Sequence, residues 1–72
     1  MKIGQHLRYF RKKKGLTQKN LAEILNITQT TYSGYETDYS EPNLETLSKL
    51  ADLYDTSIDL LIGRIEIKKA VS

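Results

Sequence analysis

The sequence predicts an all-α domain of five short helices on one core, and three observations carry that prediction. Apolar residues recur at three- and four-residue spacings through most of the chain. Good capping residues, Thr17, Thr28, Asn43 and Ser57, stand ahead of these runs. Residues that accept a left-handed backbone, Gly15, Asn26 and Gly63, follow them.

Each element follows from these signals. Ile3, Leu7 and Phe10 share one helical face, so the first helix covers about residues 3–14 and stops at Gly15. Thr17 opens the second helix, which buries Leu21, Ala22 and Leu25 and ends at Asn26. Thr28 caps a third helix from Gln29 to Glu36. Two helices joined by so few residues cannot lie antiparallel, so they cross steeply as a helix-turn-helix. Pro42 and Asn43 open a fourth helix, whose stripe runs from Leu44 through Leu47, Leu50 and Ala51 to Tyr54. Ser57 caps a short fifth helix with Ile58, Leu61 and Ile62, ended by Gly63. The alternating Ile65-Glu66-Ile67-Lys68 suits a strand, and equally a frayed terminus. The expected organisation is one domain over 1–64 and a short tail over 65–72.

Composition removes several function classes. At 72 residues the chain has room for one small domain and little else. Cysteine is absent, which excludes disulfides and thiol chemistry. His6 is the one histidine, too few for a histidine metal cluster or a catalytic triad, and is expected to be a surface or packing residue. Glu45, Asp52, Asp55 and Asp59 lack calcium-loop spacing. The expectation is therefore no enzyme, no metal and no cofactor. No apolar run is long enough to span a bilayer and no signal peptide precedes the domain, so the expected location is the cytoplasm.

The small net charge hides an asymmetry. Residues 1–20 hold seven Lys or Arg and no acid, while residues 21–63 hold eight Asp or Glu against Lys49 alone. A basic end beside an acidic body suits a binder that turns one face to a polyanion. The run Arg11 to Lys14 also fits a solvated helix C-terminus.

The third helix adds a more specific sign. At about 100° per residue, Tyr32 and Tyr35 face one way, while Gln29, Thr30, Ser33, Gly34 and Thr37 face the other. The tyrosine side belongs to the core. The opposite side is polar, small and uncharged, where an ordinary exposed helix would carry Lys and Glu. Amides, hydroxyls and methyls suit base edges in the major groove of DNA. An undistinguished polar surface is the plainer alternative. Gly34, unfavourable inside a helix, makes sense where a backbone approaches closely.

The run from Gly15 to Glu36 closely resembles the phage repressor/Cro-type (XRE) helix-turn-helix family. Glu41-Pro42-Asn43-Leu44-Glu45-Thr46-Leu47 and Ser57-Ile58-Asp59-Leu60-Leu61-Ile62-Gly63 are similar to that family's fourth and fifth helices. The resemblance covers about residues 3–64. It implies a lambda-repressor-like five-helix fold that binds palindromic operator DNA as a homodimer, with the recognition helix, about 28–36, in the major groove. By that resemblance Gln29, Thr30, Ser33 and Gly34 are the base-contacting positions. Thr17, Gln18, Lys19, Thr37 and Tyr39 are the phosphate-contacting ones, joined by Lys12 and Lys14 from the basic run. Arg11 and Glu36 correspond to an ion pair tying the first helix to the end of the third. The loop 37–41 departs from the family, being acidic and without a cation. Leu53, Leu60 and Ile65 exceed what so small a domain easily buries, which suggests a subunit contact made by the last helix and the tail. A transcriptional repressor acting by occupancy is the leading expectation. The alternative is a protein-interaction module, such as an antitoxin or anti-repressor, whose tail strand adds to a partner's sheet.

Overall fold

The computed structural model describes residues 2–64. Five helices follow one another: α1 (Gly4–Lys13), α2 (Gln18–Leu25), α3 (Gln29–Glu36), α4 (Leu44–Leu53) and α5 (Ile58–Leu61). All are expected elements, and their bounds lie within a residue or two of those expected. No strand occurs among the described residues. The strand and subunit-contact readings of the tail fall outside them.

The core is the apolar stripe of each helix turned inward. Leu7, Leu21, Tyr32, Leu50 and Leu61 are fully buried at its centre, one from each helix. Ala22 and Ala51 keep the packing close, as small residues allow. α2 packs on α3, α1 on α3 and α5, and α4 on α5. Phe10 and Tyr54 stack with ring centroids 5.5 Å apart and join α1 to the end of α4. Leu53 is half-buried and packs against the core, and Leu60 is half-buried. Leu44 corrects the α4 stripe: it is 70% exposed. It occupies the first position of α4, one turn ahead of the buried Leu47.

Four of the five N-termini are closed by their own caps. Thr17, Thr28, Asn43 and Ser57 each accept a hydrogen bond from the backbone N–H three residues on. At Thr17 the Asn20 side chain returns the bond, completing a reciprocal box. All five C-termini end in one motif. A left-handed residue follows the last turn: Gly15, Asn26, Asp38, Asp55 and Gly63, with φ of 79°, 60°, 63°, 54° and 80°. The N–H after each bonds back to the final turn, for example Leu16 to the Arg11 carbonyl at 3.1 Å and Ile27 to that of Ala22 at 3.0 Å. Gly63 is fixed a second way, because a Cβ there would collide with the ring of His6. His6 is thus a packing residue at an exposed edge.

α1 is the exception at its start. Ile3 offers no side-chain cap. Instead Asp38, at the exit of α3, takes the N–H groups of Ile3 and Gly4 on one carboxylate oxygen at 3.0 and 2.9 Å. Gly4 lies so close to α3 that a Cβ would strike the carbonyl of Glu36.

Candidate nucleic-acid interface

The helix-turn-helix is built by local chemistry. Asn26 turns the chain at the end of α2, and Thr28 restarts it through the N–H of Thr31 at 3.1 Å. Between them Ile27 is half-buried and packs on the core. The connection is therefore short and pinned at both ends and at its middle, which fixes α3 relative to α2.

One side of α3 is anchored. Tyr32 is wholly buried and meets Tyr35 edge-on, with centroids 6.1 Å apart. Its hydroxyl donates to Glu36 Oε2 at 2.6 Å. Arg11 Nε reaches the same oxygen at 2.6 Å, and Arg11 Nη2 reaches Oε1 at 3.2 Å. Gln18 Nε2 donates to Oε1 at 3.0 Å. Arg11 Nη1 also holds the Leu16 carbonyl at 2.9 Å. The ion pair expected between Arg11 and Glu36 is thus present, bidentate, and shielded: the two side chains are 10% and 3% exposed. Burial pushes the Glu36 carboxyl up, but the bonds from Arg11, Tyr32 and Gln18 together outweigh it and hold it below the usual carboxylate range. Burial and the neighbouring carboxylate push the Tyr32 phenol far up. Tyr54 is raised to about 12, chiefly by burial and then by the charge of Glu36. Its hydroxyl is enclosed and has no hydrogen-bond partner among the described residues.

The other side of α3 carries no charge from Gln29 to Tyr35. Gln29 and Thr30 are exposed, and Ser33 is half-buried on the same side. Thr31 is exposed as well, but its hydroxyl is engaged by that of Thr28 at 2.8 Å. The close backbone approach expected at Gly34 is present. Its carbonyl takes the N–H groups of Tyr39 and Ser40 at 2.9 and 3.2 Å, and a Cβ would press on the Ser40 hydroxyl at 3.2 Å. The backbone that approaches Gly34 is the chain's own returning loop. Gly34 therefore shapes the α3–α4 loop and has no side chain to offer a base. Thr37 bonds the Gly34 carbonyl at 3.3 Å, while Tyr39 is 90% exposed at the loop's crest.

The phosphate candidates are brought together only in part. Thr17, Gln18 and Lys19 lie at the start of α2, with Lys19 exposed. Thr37 and Tyr39 lie on the loop after α3. Lys12 and Lys14 do not converge: Lys12 borders a shallow hollow on α1 with Gln5, Arg8 and Tyr9, whereas Lys14 borders another with Phe10 and Tyr54. Lys13 lies between them, its ammonium 5.6 Å from the Tyr9 ring centre.

Asp38 and Gly4 are the positions that sequence reasoning missed. Asp38 belongs to the acidic loop that departs from the family, and its carboxylate is turned to the start of α1. The available signal was negative: α1 has no Ser, Thr, Asp or Asn ahead of it and opens on a glycine. Among the described residues no group of three or more His, Cys, Asp or Glu could hold a metal. No described helix is long and apolar enough to cross a membrane.

Comparison with known proteins agrees with this geometry. A family profile described as helix-turn-helix matches residues 7–61. The chain is 46% identical over 69 residues to the HTH-type transcriptional regulator ImmR of Bacillus subtilis, covering 96% of this chain and 54% of that protein. It is 41% identical over 64 residues to the cryptic phage CTXphi transcriptional repressor RstR of Vibrio cholerae, covering 89% of this chain and 57% of that one. Among solved structures, a transcriptional regulator from Listeria innocua superposes with a TM-score of 0.82 at 30% identity, covering 93% of this chain and 63% of that one. The chain spans about half the length of these curated relatives. With the profile matched from α1 to α5, the chain belongs to the helix-turn-helix family of the phage repressor/Cro (XRE) type.

Proposed function

We propose that this chain is a sequence-specific DNA-binding transcriptional regulator, a repressor that acts by occupying its operator. α3 enters the major groove, with Gln29, Thr30 and Ser33 facing the bases. The N-terminus of α2, with Thr17, Gln18 and Lys19, meets the phosphate backbone, where free N–H groups and a cation favour an anion. Thr37 and Tyr39 offer hydroxyls to the same backbone. Lys12 and Lys14 act at a distance, by raising the local potential. The protein works in the cytoplasm as a homodimer on a palindromic site, with half-sites about 10 bp apart.

One observation carries this reading: the exposed side of α3 is an uncharged row of amide and hydroxyl groups, backed by a buried Arg11–Glu36–Tyr32 network that fixes its orientation. The names of the similar proteins, a transcriptional regulator and a phage repressor, support it.

The test is selection of bound duplexes from a random pool at a fixed moderate salt. Enrichment of a two-fold symmetric motif is the expected result, and its spacing reports the dimer. A pool that yields no motif after repeated rounds overturns the reading. A motif without symmetry overturns the homodimer alone.

A further inference from the structure

Glu36 holds more partners than an ion pair needs. Oε2 takes Arg11 and Tyr32, and Oε1 takes Arg11 and the side-chain amide of Gln18. The last bond differs in kind. Arg11 and Tyr32 are buried, but Gln18 is half-exposed at the first turn of α2. A carboxylate can accept only the nitrogen end of an amide, so the bond settles which way the Gln18 amide is flipped. It uses one of the two N–H groups on Nε2 and leaves the other for a second acceptor. A glutamine released from Glu36 would sample many rotamers and could turn its carbonyl oxygen to an approaching anion.

We propose that Glu36 is a positioning residue for DNA: it holds the Gln18 amide at the start of α2 with one N–H committed to the protein and the other presented to a backbone phosphate. The proposal rests on the duplex-binding reading above. The recognition helix and the phosphate contact are then built on one carboxylate. Glu36 lies at the end of α3 and Gln18 at the start of α2, so a shift of either helix moves the amide. Ordering Gln18 before binding also removes an entropic cost from the complex.

The experiment measures binding of the full chain to the selected duplex and to a scrambled one, across several salt concentrations. Gln18→Met is expected to weaken binding about ten- to a hundredfold on both sequences. The salt slope stays unchanged, because a neutral amide displaces no counterion. Glu36→Gln, assayed well below its melting temperature, is expected to lose a similar factor. The double variant is expected to lose clearly less than the product of the two single losses, because Glu36 also steadies α3. Side-chain amide resonances give a second reading: one Gln18 proton is shifted downfield and slow to exchange in the wild type, and both resemble a free glutamine once Arg11→Met/Glu36→Leu removes the acceptor. If Glu36→Gln does not fold, Arg11→Met/Glu36→Leu removes the acceptor without stranding a charge. Losses that multiply, a Gln18→Met variant with wild-type affinity, or amide signals indifferent to Glu36 each overturn the proposal while the wild type still binds. A wild type that binds neither duplex brings down the functional reading, and the proposal with it.

Discussion

Gln29 and Gly4 mark the two ways in which single residues matter here. Gln29 has little to do inside the protein, being exposed at the first position of α3. Replacing it with Ala should leave the melting temperature almost unchanged and cost about 1–3 kcal/mol on the preferred duplex, with little change on random DNA. Equal losses on both duplexes in a titration would remove it from base reading. Gly4 has the opposite character. Gly4→Ala puts a methyl into the Glu36 carbonyl, which must move or push α1 away from α3. We expect a loss of about 1–3 kcal/mol or more in urea unfolding, although alanine is the better helix former. A midpoint at or above the wild type would mean that α1 slides freely. The exposed place of Gln29 at the start of α3 was legible in the sequence because its helix is short, periodic and uncharged on one side. Gly4 was not, because its significance lies in a contact with a residue 32 positions away.

The helices were legible for a related reason. Their starts and stops are local chemistry: a hydroxyl or amide bonding three residues ahead, and a residue free to turn left-handed. Thr17, Thr28, Asn43, Ser57, Gly15, Asn26 and Gly63 are recognisable by type alone. Asp38 and Asp55 serve as left-handed stops too, at φ of 63° and 54°, yet aspartate does so less often than glycine or asparagine and the sequence did not single them out. These two residues make a controlled pair. Asp55→Gly relieves a left-handed Cβ and should move stability by less than about 1 kcal/mol, in the favourable direction. Asp38→Gly relieves the same feature but removes the carboxylate that caps α1. It should cost about 1–2 kcal/mol net of that relief. Urea midpoints of the two variants should therefore fall on opposite sides of the wild type. If both rise, the bonds to Ile3 and Gly4 contribute nothing.

At the scale of the whole molecule, the interior ionisable groups set a pH window. Glu36 is held below the usual carboxylate range, so its stabilisation is complete above the unfolded pKa of about 4.3 and is lost as pH falls through the lower folded value. Tyr32 and Tyr54 are both raised, so their contribution is complete below the unfolded pKa of about 10 and is lost at higher pH. Thermal melts should show a plateau near neutrality with falls on either side. Glu36→Gln should lower the plateau and flatten the acid side; an acid limb as steep as the wild type's would assign acid unfolding to other carboxylates. Charge also governs binding from a distance. Lys19→Ala should weaken association with every sequence and reduce the slope of log affinity against log salt by about one. An unchanged slope would take Lys19 off the phosphate backbone.

The contact between Asp38 and the first residues of α1 has a practical side. One carboxylate at the exit of α3 holds the amides of Ile3 and Gly4, so anything fused just ahead of Ile3 sits beside the joint between α1 and α3. A group attached there that disturbs the two bonds would loosen α1 from the exit of α3, and a lower urea midpoint for the tagged chain would report it. Labels for quantitative work are better placed away from this joint, on α4, whose one lysine, Lys49, is exposed.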